Sequence, residues 1–270
     1  MSRGRFCSWT VGGTSADRTR LAFGDIVVIG GGCYGAYYVR QLGRAADAGA
    51  LTWRRLLVVD RDPRCRVTRG DDAETPHHTL PAPVCVVNEW AGFLDEWIPR
   101  AGGDAPDAIV PSPLMPHLFV EYLERNATAR WPDRAITRRS PSSSIGTPWE
   151  RASPDGTAYV SHATWTCPVN CIEPGICPHT RDVRDWTMPA SIAQWTDERR
   201  AAGESLLGPF TFHCTHRAYG VGMVDKQPIR DADEQIASTG VNAAVSAVVA
   251  TASHCHGAVS LLEVGAPQPR

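Results

Sequence analysis

The segment Asp25-Ile26-Val27-Val28-Ile29-Gly30-Gly31-Gly32-Cys33-Tyr34-Gly35 constrains this chain more than any other. An apolar run of strand length, Ile26 to Ile29, stops at three consecutive glycines. A helical stretch from Tyr34 to Ala46 follows, with Tyr38, Val39 and Leu42 at core-compatible spacing. Leu56 to Val59 then supplies a second strand that ends on Asp60. Strand, glycine turn, helix and strand in this order form a parallel βαβ unit, whose crossover is expected to be right-handed.

Gly30, Gly32 and Gly35 fit the pattern G-x-G-x-x-G, with Cys33 and Tyr34 at its variable positions. The three glycines serve a tight turn, close approach of backbone to a pyrophosphate, and close helix–strand packing. The helix start offers unpaired N–H groups and a favourable dipole to the phosphates. Asp60, at the end of the second strand, is the candidate acceptor for the ribose hydroxyls of NAD, while Arg61 and Arg64 could receive the 2′-phosphate of NADP. Asp60 follows Gly30 at a distance beyond the roughly twenty residues expected, which calls for a longer helix or loop between Arg44 and Arg55. On these features residues 25 to 60 resemble the NAD(P)-binding Rossmann superfamily, including the nucleotide-binding domains that regulate potassium transport. The resemblance implies nucleotide binding; the alternatives for such a turn are another ligand, FAD or S-adenosylmethionine, or none.

Further apolar runs at Val84 to Val87 and Ala108 to Val110 bracket a short helical face of Trp90, Phe93, Leu94 and Trp97. Pro111-Ser112-Pro113 precedes a helix expected from about Pro116, where His117 could face a nicotinamide or substrate, although capping or packing is the simpler role. Arg138 to Pro148 is expected to be a surface connection. Beyond it, Ala158 to Trp165 and Phe210 to His216 are expected as strands, Ala232 to Ser253 as helical, with Val241 to Ala252 a buried helix, and Ala258 to Val264 as a final strand. The expected fold is therefore α/β, a doubly wound, mostly parallel Rossmann-like sheet with a Cys-rich insertion in the second half. Its divisions are a disordered leader (1–22), a dinucleotide-binding half (23–137), a connection (138–157) and a Cys/His-rich half (158–270) that adds strands to the same sheet.

Nine cysteines include Cys7, Cys33, Cys65 and Cys85, scattered through the first half, and a denser set in the second. Cys167, Cys171 and Cys177 fall within thirteen residues that end on His179, and the intervening Pro and Gly turn the backbone so that side chains can converge. Thiolate-rich sites suit zinc or an iron–sulfur cluster. The C-x3-C-x5-C spacing matches neither a ferredoxin run nor a zinc ribbon, so zinc and iron–sulfur both stay open. Cys214, between His213 and His216, and Cys255, between His254 and His256, are further candidate ligands. Cys214 and His216 would share a face if one strand carried both. Buried thiols and metal-free redox thiols beside His179 or Arg181 are the alternatives.

An odd cysteine count without a signal-peptide pattern favours a reducing, cytoplasmic setting. A formal charge of −2 over 270 residues offers no basic field for nucleic acid, and no apolar run is long enough for membrane insertion. The resulting expectation is an NAD(P)-binding redox protein, an oxidoreductase of unassigned substrate, that joins a nucleotide to a Cys/His metal or iron–sulfur site. Its partners are the nucleotide cofactor and a small-molecule substrate or redox partner, and homo-oligomers are compatible with it. A nucleotide sensor with a structural metal and an S-adenosylmethionine-dependent transferase are the rival readings.

Overall fold

A computed structural model describes residues 20–70, 77–113, 115–167 and 171–268. In chain order its elements begin with β1 (Leu21–Ile29), α1 (Cys33–Asp47), β2 (Leu51–Asp60), α2 (Arg66–Arg69), β3 (Val84–Val87) and α3 (Trp90–Trp97). There follow β4 (Ala108–Val110), α4 (Leu118–Arg130), β5 (Ile136–Arg139), β6 (Trp149–Ala152), β7 (Ala158–Ser161) and α5 (Met188–Ala201). The chain then forms β8 (Leu207–His213), β9 (Thr215–Ala218), β10 (Val221–Asp225), α6 (Lys226–Gly240), β11 (Val245–Ala252) and β12 (His256–Val264). The leader falls outside the described residues as far as residue 19, Cys7 included, and Leu21 already belongs to β1.

The expected single doubly wound sheet is not formed. Two mixed sheets take its place, ordered β3-β2-β1-β4-β10-β9 and β6-β7-β12-β11-β8, with β5 also pairing with β12. In the first, β3, β2, β1 and β4 run parallel, but β10 lies antiparallel to β4 and β9 antiparallel to β10. In the second, β11 and β12 form an antiparallel hairpin across Ser253 to Cys255, and only β8 runs parallel to β11. A turn that short cannot make the crossover that parallel strands need, so the C-terminal strands cannot extend the first sheet in its own sense.

Packing explains the second sheet. One core cluster joins Val27, Ile29, Leu57 and Val59 of the first sheet to α3, α4 and α6, and these to Phe212, Ala247, Val249 and Leu262 of the second. Helices thus fill the space between the sheets, and Phe119 of α4 meets Phe212 of β8 edge to face at 5.4 Å. The outer face of the first sheet is covered by α1 through Leu42, Ala45 and Ala46, and that of the second by α5 through Met188, Ile192 and Trp195. Burying each such Leu, Ile or Val contributes about 1.5–3 kcal/mol.

The run Val241 to Ala252 is not a helix. Helix α6 ends at Gly240 and β11 starts at Val245. Both faces of β11 are covered, Ala247 and Val249 by one core and Val248 and Ala250 by another, and a strand covered on both sides has the unbroken apolar run of a buried helix. The expected strand from Phe210 to His216 is likewise divided at Cys214: β8 belongs to one sheet and β9 to the other, so Cys214 and His216 do not alternate along one strand. The late position of Asp60 has a simple cause. β2 is ten residues long because it pairs with β1 from Leu51 opposite Leu21 onward.

Candidate functional site

The glycine turn has the geometry its sequence implies. Gly30 closes β1 with φ +87°, a backbone conformation that disfavours side chains, and its N–H donates to the Val59 carbonyl at 2.8 Å. Gly31 N–H donates to Asp60 Oδ2 at 2.7 Å, so Asp60 ties the turn to the end of β2. A Cβ on Gly35 would lie 1.9 Å from the Gly30 carbonyl oxygen, which makes glycine obligatory where α1 crosses the turn. At Gly32 the opposite holds: among the described residues no atom would lie within 4 Å of a Cβ. Gly32 is also the N-cap of α1, and no side chain caps the first-turn N–H groups there. The Cys33 thiol is exposed and accepts from Arg66 Nη1 at 3.4 Å. Arg61 and Arg64 are exposed beyond β2.

From the first turn of α1, at Cys33 and Tyr34, a cavity of about 800 Å³ extends to the second sheet. Tyr34, Tyr37 and Tyr38 of α1 and Pro111 to Pro113 after β4 line one wall. Cys167, Cys171, Cys214 and Cys255 line the other, with Glu173, Arg184, His216 and His256. The cavity therefore lies at the carboxyl ends of β1 and β4, where the parallel order reverses, the position at which open α/β sheets take ligands. His117 is outside the lining; it stands at the N-cap position of α4 without a side-chain cap bond, and its ring lies 3.5 Å from the Glu121 carboxylate.

Glu173 holds the thiol wall together. Its carboxylate, only 10% exposed, accepts from Ser253 Oγ at 2.7 Å, His254 N at 2.9 Å and Cys255 N at 3.1 Å. It thereby fastens the Cys167–Cys177 loop to the β11–β12 turn some eighty residues away. Its backbone has φ +53°, unfavourable for glutamate, which the three bonds hold in place. Burial pushes the Glu173 carboxyl up, but these bonds and the His216 ring, 3.7 Å away, outweigh it and keep the carboxyl below its ordinary value. Burial lowers the pKa of His216, and also of His213 and His256. Ser161 Oγ donates to the Ala163 carbonyl at 2.8 Å, so the 3.0 Å contact with His256 Nδ1 is a bond the imidazole donates, which leaves Nε2 as the acceptor.

The sulfurs differ among themselves. Burial pushes the Cys214 thiol up to about 12, and the Glu173 charge adds to this. Burial also raises Cys167 and Cys255. Cys177 is held below the usual thiol range, first by the Thr180 N–H and also by the His179 N–H. Arg184 donates from Nη2 to Cys171 Sγ at 3.8 Å and from Nη1 to the Pro174 carbonyl. Among the described residues no three His, Cys, Asp or Glu side chains are disposed to hold a single metal ion; residues 168–170 of the loop lie outside that description. Sequence reasoning missed Glu173, Arg184, Ser161 and the indoles of Trp165 and Trp186. A glutamate inside a Cys- and Pro-rich loop was the one available signal.

A family model described as "Uncharacterized protein, C-terminal domain" matches residues 119–265, more than half of the chain. The chain belongs to this family. The matched residues include the whole second sheet, the Cys167–Cys177 loop and the β11–β12 turn, and exclude the glycine turn. No curated protein and no solved structure matches the chain.

Proposed function

We propose that this family member is an NAD(P)-binding redox protein whose nucleotide lies with its pyrophosphate at the start of α1 and its nicotinamide in the thiol-lined cavity. The observation that carries the reading is one cavity lined both by the first turn of α1, at Cys33 and Tyr34, and by Cys167, Cys171 and Cys255. The residues fit the cofactor. Open space at Gly32 admits a phosphate, the N–H groups and dipole of α1 favour its charge, and Asp60 stands at the turn with lone pairs beyond those already used.

The nicotinamide supplies hydride transfer when bound. The chain's own contributions are binding and exclusion of water. The tyrosines of α1 and the prolines after β4 form an apolar wall, and Glu173 and Arg184 hold the opposing thiols in position. No helix among the described residues is long and apolar enough to cross a membrane.

Calorimetric titration with NAD+, NADH, NADP+, NADPH, FAD and S-adenosylmethionine tests the reading. Saturable binding of a nicotinamide nucleotide is expected, weakened at least tenfold, about 1.4 kcal/mol, by Gly32→Ala. Binding of S-adenosylmethionine alone, or of none of the six, overturns it.

A further inference from the structure

We propose that Cys167, Cys171, Cys177 and Cys255 are the ligands of one iron–sulfur cluster, and that Cys214, though it lines the same cavity, is not a ligand. The inference deepens the redox reading and rests on it for the cluster's purpose, while the ligand set rests on the contacts that gather the four thiols.

Three fastenings bring the four sulfurs together. Glu173, between Cys171 and Cys177 in sequence, binds the Cys255 backbone directly. The segment after Cys177 folds back on itself, with Cys177 N–H donating to the Asp182 carbonyl at 2.9 Å, Arg181 N–H to the Cys177 carbonyl at 2.8 Å, and a bridge between Ile176 and Val183. That reversal returns Arg184 to the loop, where its N–H donates to the Gly175 carbonyl at 2.9 Å and its guanidinium reaches Cys171 Sγ. Met188 N–H, at the start of α5, donates to the His254 carbonyl at 2.8 Å and so fixes the preceding Trp186 beside the Cys255 turn.

Each of the four sulfurs has its own N–H group. Cys177 has the backbone N–H groups of His179 and Thr180, and Cys171 has Arg184. The indole of Trp165 acts on Cys167 and that of Trp186 on Cys255. Both indole N–H groups are buried and complete no hydrogen bond among the described residues, which suits an acceptor stronger than a neutral thiol. Metal-bound thiolates are such acceptors, and hydrogen bonds to the sulfurs help set a cluster's reduction potential. Four thiolates also concentrate negative charge, and Arg184 supplies a cation beside Cys171. Cys214 stands apart: it leads into the other sheet, and its sulfur packs where a Gly222 Cβ would lie, at 2.7 Å.

Size decides between metals. A zinc ion bonds each thiolate at about 2.3 Å, so its ligand sulfurs must nearly touch, and among the described residues no three candidate side chains are so disposed. A polynuclear cluster carries its ligand sulfurs further apart than a single ion does, and it is the class of group we assign to these four thiols.

The full chain, purified anaerobically and reconstituted with ferrous iron, inorganic sulfide and a thiol reductant, tests the assignment. Roughly four iron and four sulfide per chain are expected, with a visible absorption that dithionite bleaches. Cys177→Ser and Cys255→Ser should lose most of the iron while Cys214→Ser retains it, with far-ultraviolet circular dichroism confirming that each variant is folded. Trp186→Phe should keep the iron and move the cluster's potential to more negative values. A folded wild-type chain that takes up no iron, or one zinc per chain, overturns the proposal, as does equal iron loss in Cys214→Ser. Nucleotide titration of the same sample separates the two readings: iron uptake without nucleotide binding leaves the cluster standing and removes the nicotinamide.

Discussion

The two ends of the first sheet are built on opposite principles. At its base, polar groups are buried and fully matched. Asp107, just before β4, pairs with Lys226 of α6 at 2.5 Å and accepts the Asp25 N–H at 2.7 Å. Lys226 also donates to the Arg100 carbonyl at 3.0 Å and sits over the Trp97 ring at 4.4 Å. Toward the cavity the helix start at Gly32 has no side-chain cap, and beside the cavity's cysteines the indole N–H groups of Trp165 and Trp186 and His254 Nε2 complete no bond among the described residues. A closed network holds a fold, whereas unfilled bonding capacity around a cavity is what a ligand fills. The difference separates residues that should respond to denaturant from residues that should respond to ligand.

The largest effect is expected at the base. Lys226→Met removes a cation 3% exposed and leaves Asp107 buried without its partner, a loss of about 3–5 kcal/mol by the usual cost of breaking a buried pair. Urea unfolding should show it as a lower midpoint, with nucleotide affinity per folded molecule unchanged. A loss under about 1 kcal/mol would break the contrast, because the base would then contribute no more than a surface pair.

The glycine turn sharpens the contrast within a few residues. Gly35→Ala drives a Cβ against a backbone carbonyl that cannot move aside, and should cost about 1–3 kcal/mol together with nucleotide binding. Gly32→Ala meets nothing in the protein, so its midpoint should stay within about 0.5 kcal/mol while nucleotide affinity falls. If both variants lose stability alike, the open space at Gly32 is not a ligand's place.

How much of this was legible in the sequence follows from the range of the interactions involved. The first βαβ unit, β3 and β4 were readable because their apolar periods and glycine punctuation are local. β11 was not, since a strand buried on both faces lacks the alternation that identifies strands. The convergence of Cys167, Cys171 and Cys255 could only be suspected, because it depends on Glu173 reaching a turn some eighty residues away. Trp165 and Trp186 carried no signal, as an indole in a loop looks like any other apolar residue until a thiol stands beside it. The second sheet is not legible because the Ser253 to Cys255 turn follows an apolar run that reads equally well as the end of a helix.

Glu173 occupies the middle of the range. Glu173→Gln keeps the shape but gives up the charge that accepts three bonds, and charge-assisted bonds contribute about 1.5–3 kcal/mol each before relaxation. Much of that loss should stay local, as faster amide exchange at His254 and Cys255 and in the Cys loop, with about 1–2 kcal/mol of global stability lost. Exchange unchanged at those amides would show that the loop is held by something other than this carboxylate.

The smallest effect tests the base through pH. Asp25 is buried beneath Arg54, Arg55 and the Trp97 indole. Burial pushes its carboxyl up, but the two guanidinium groups and the indole N–H outweigh this and lower it to about 2. The folded value lies below the unfolded one of about 3.9, so the stabilisation is fully present above pH 4 and is lost as pH falls through 2. Because Arg54 and Arg55 are themselves about half exposed, solvent screens the pairs, and about 1–2 kcal/mol is a fair figure for the loss. Urea midpoints of the wild type and Asp25→Asn at pH 5, 4, 3 and 2 should therefore converge toward the acid end. A gap that stays constant over this interval would mean that the carboxylate's charge contributes nothing and that packing around Asp25 alone holds the base closed.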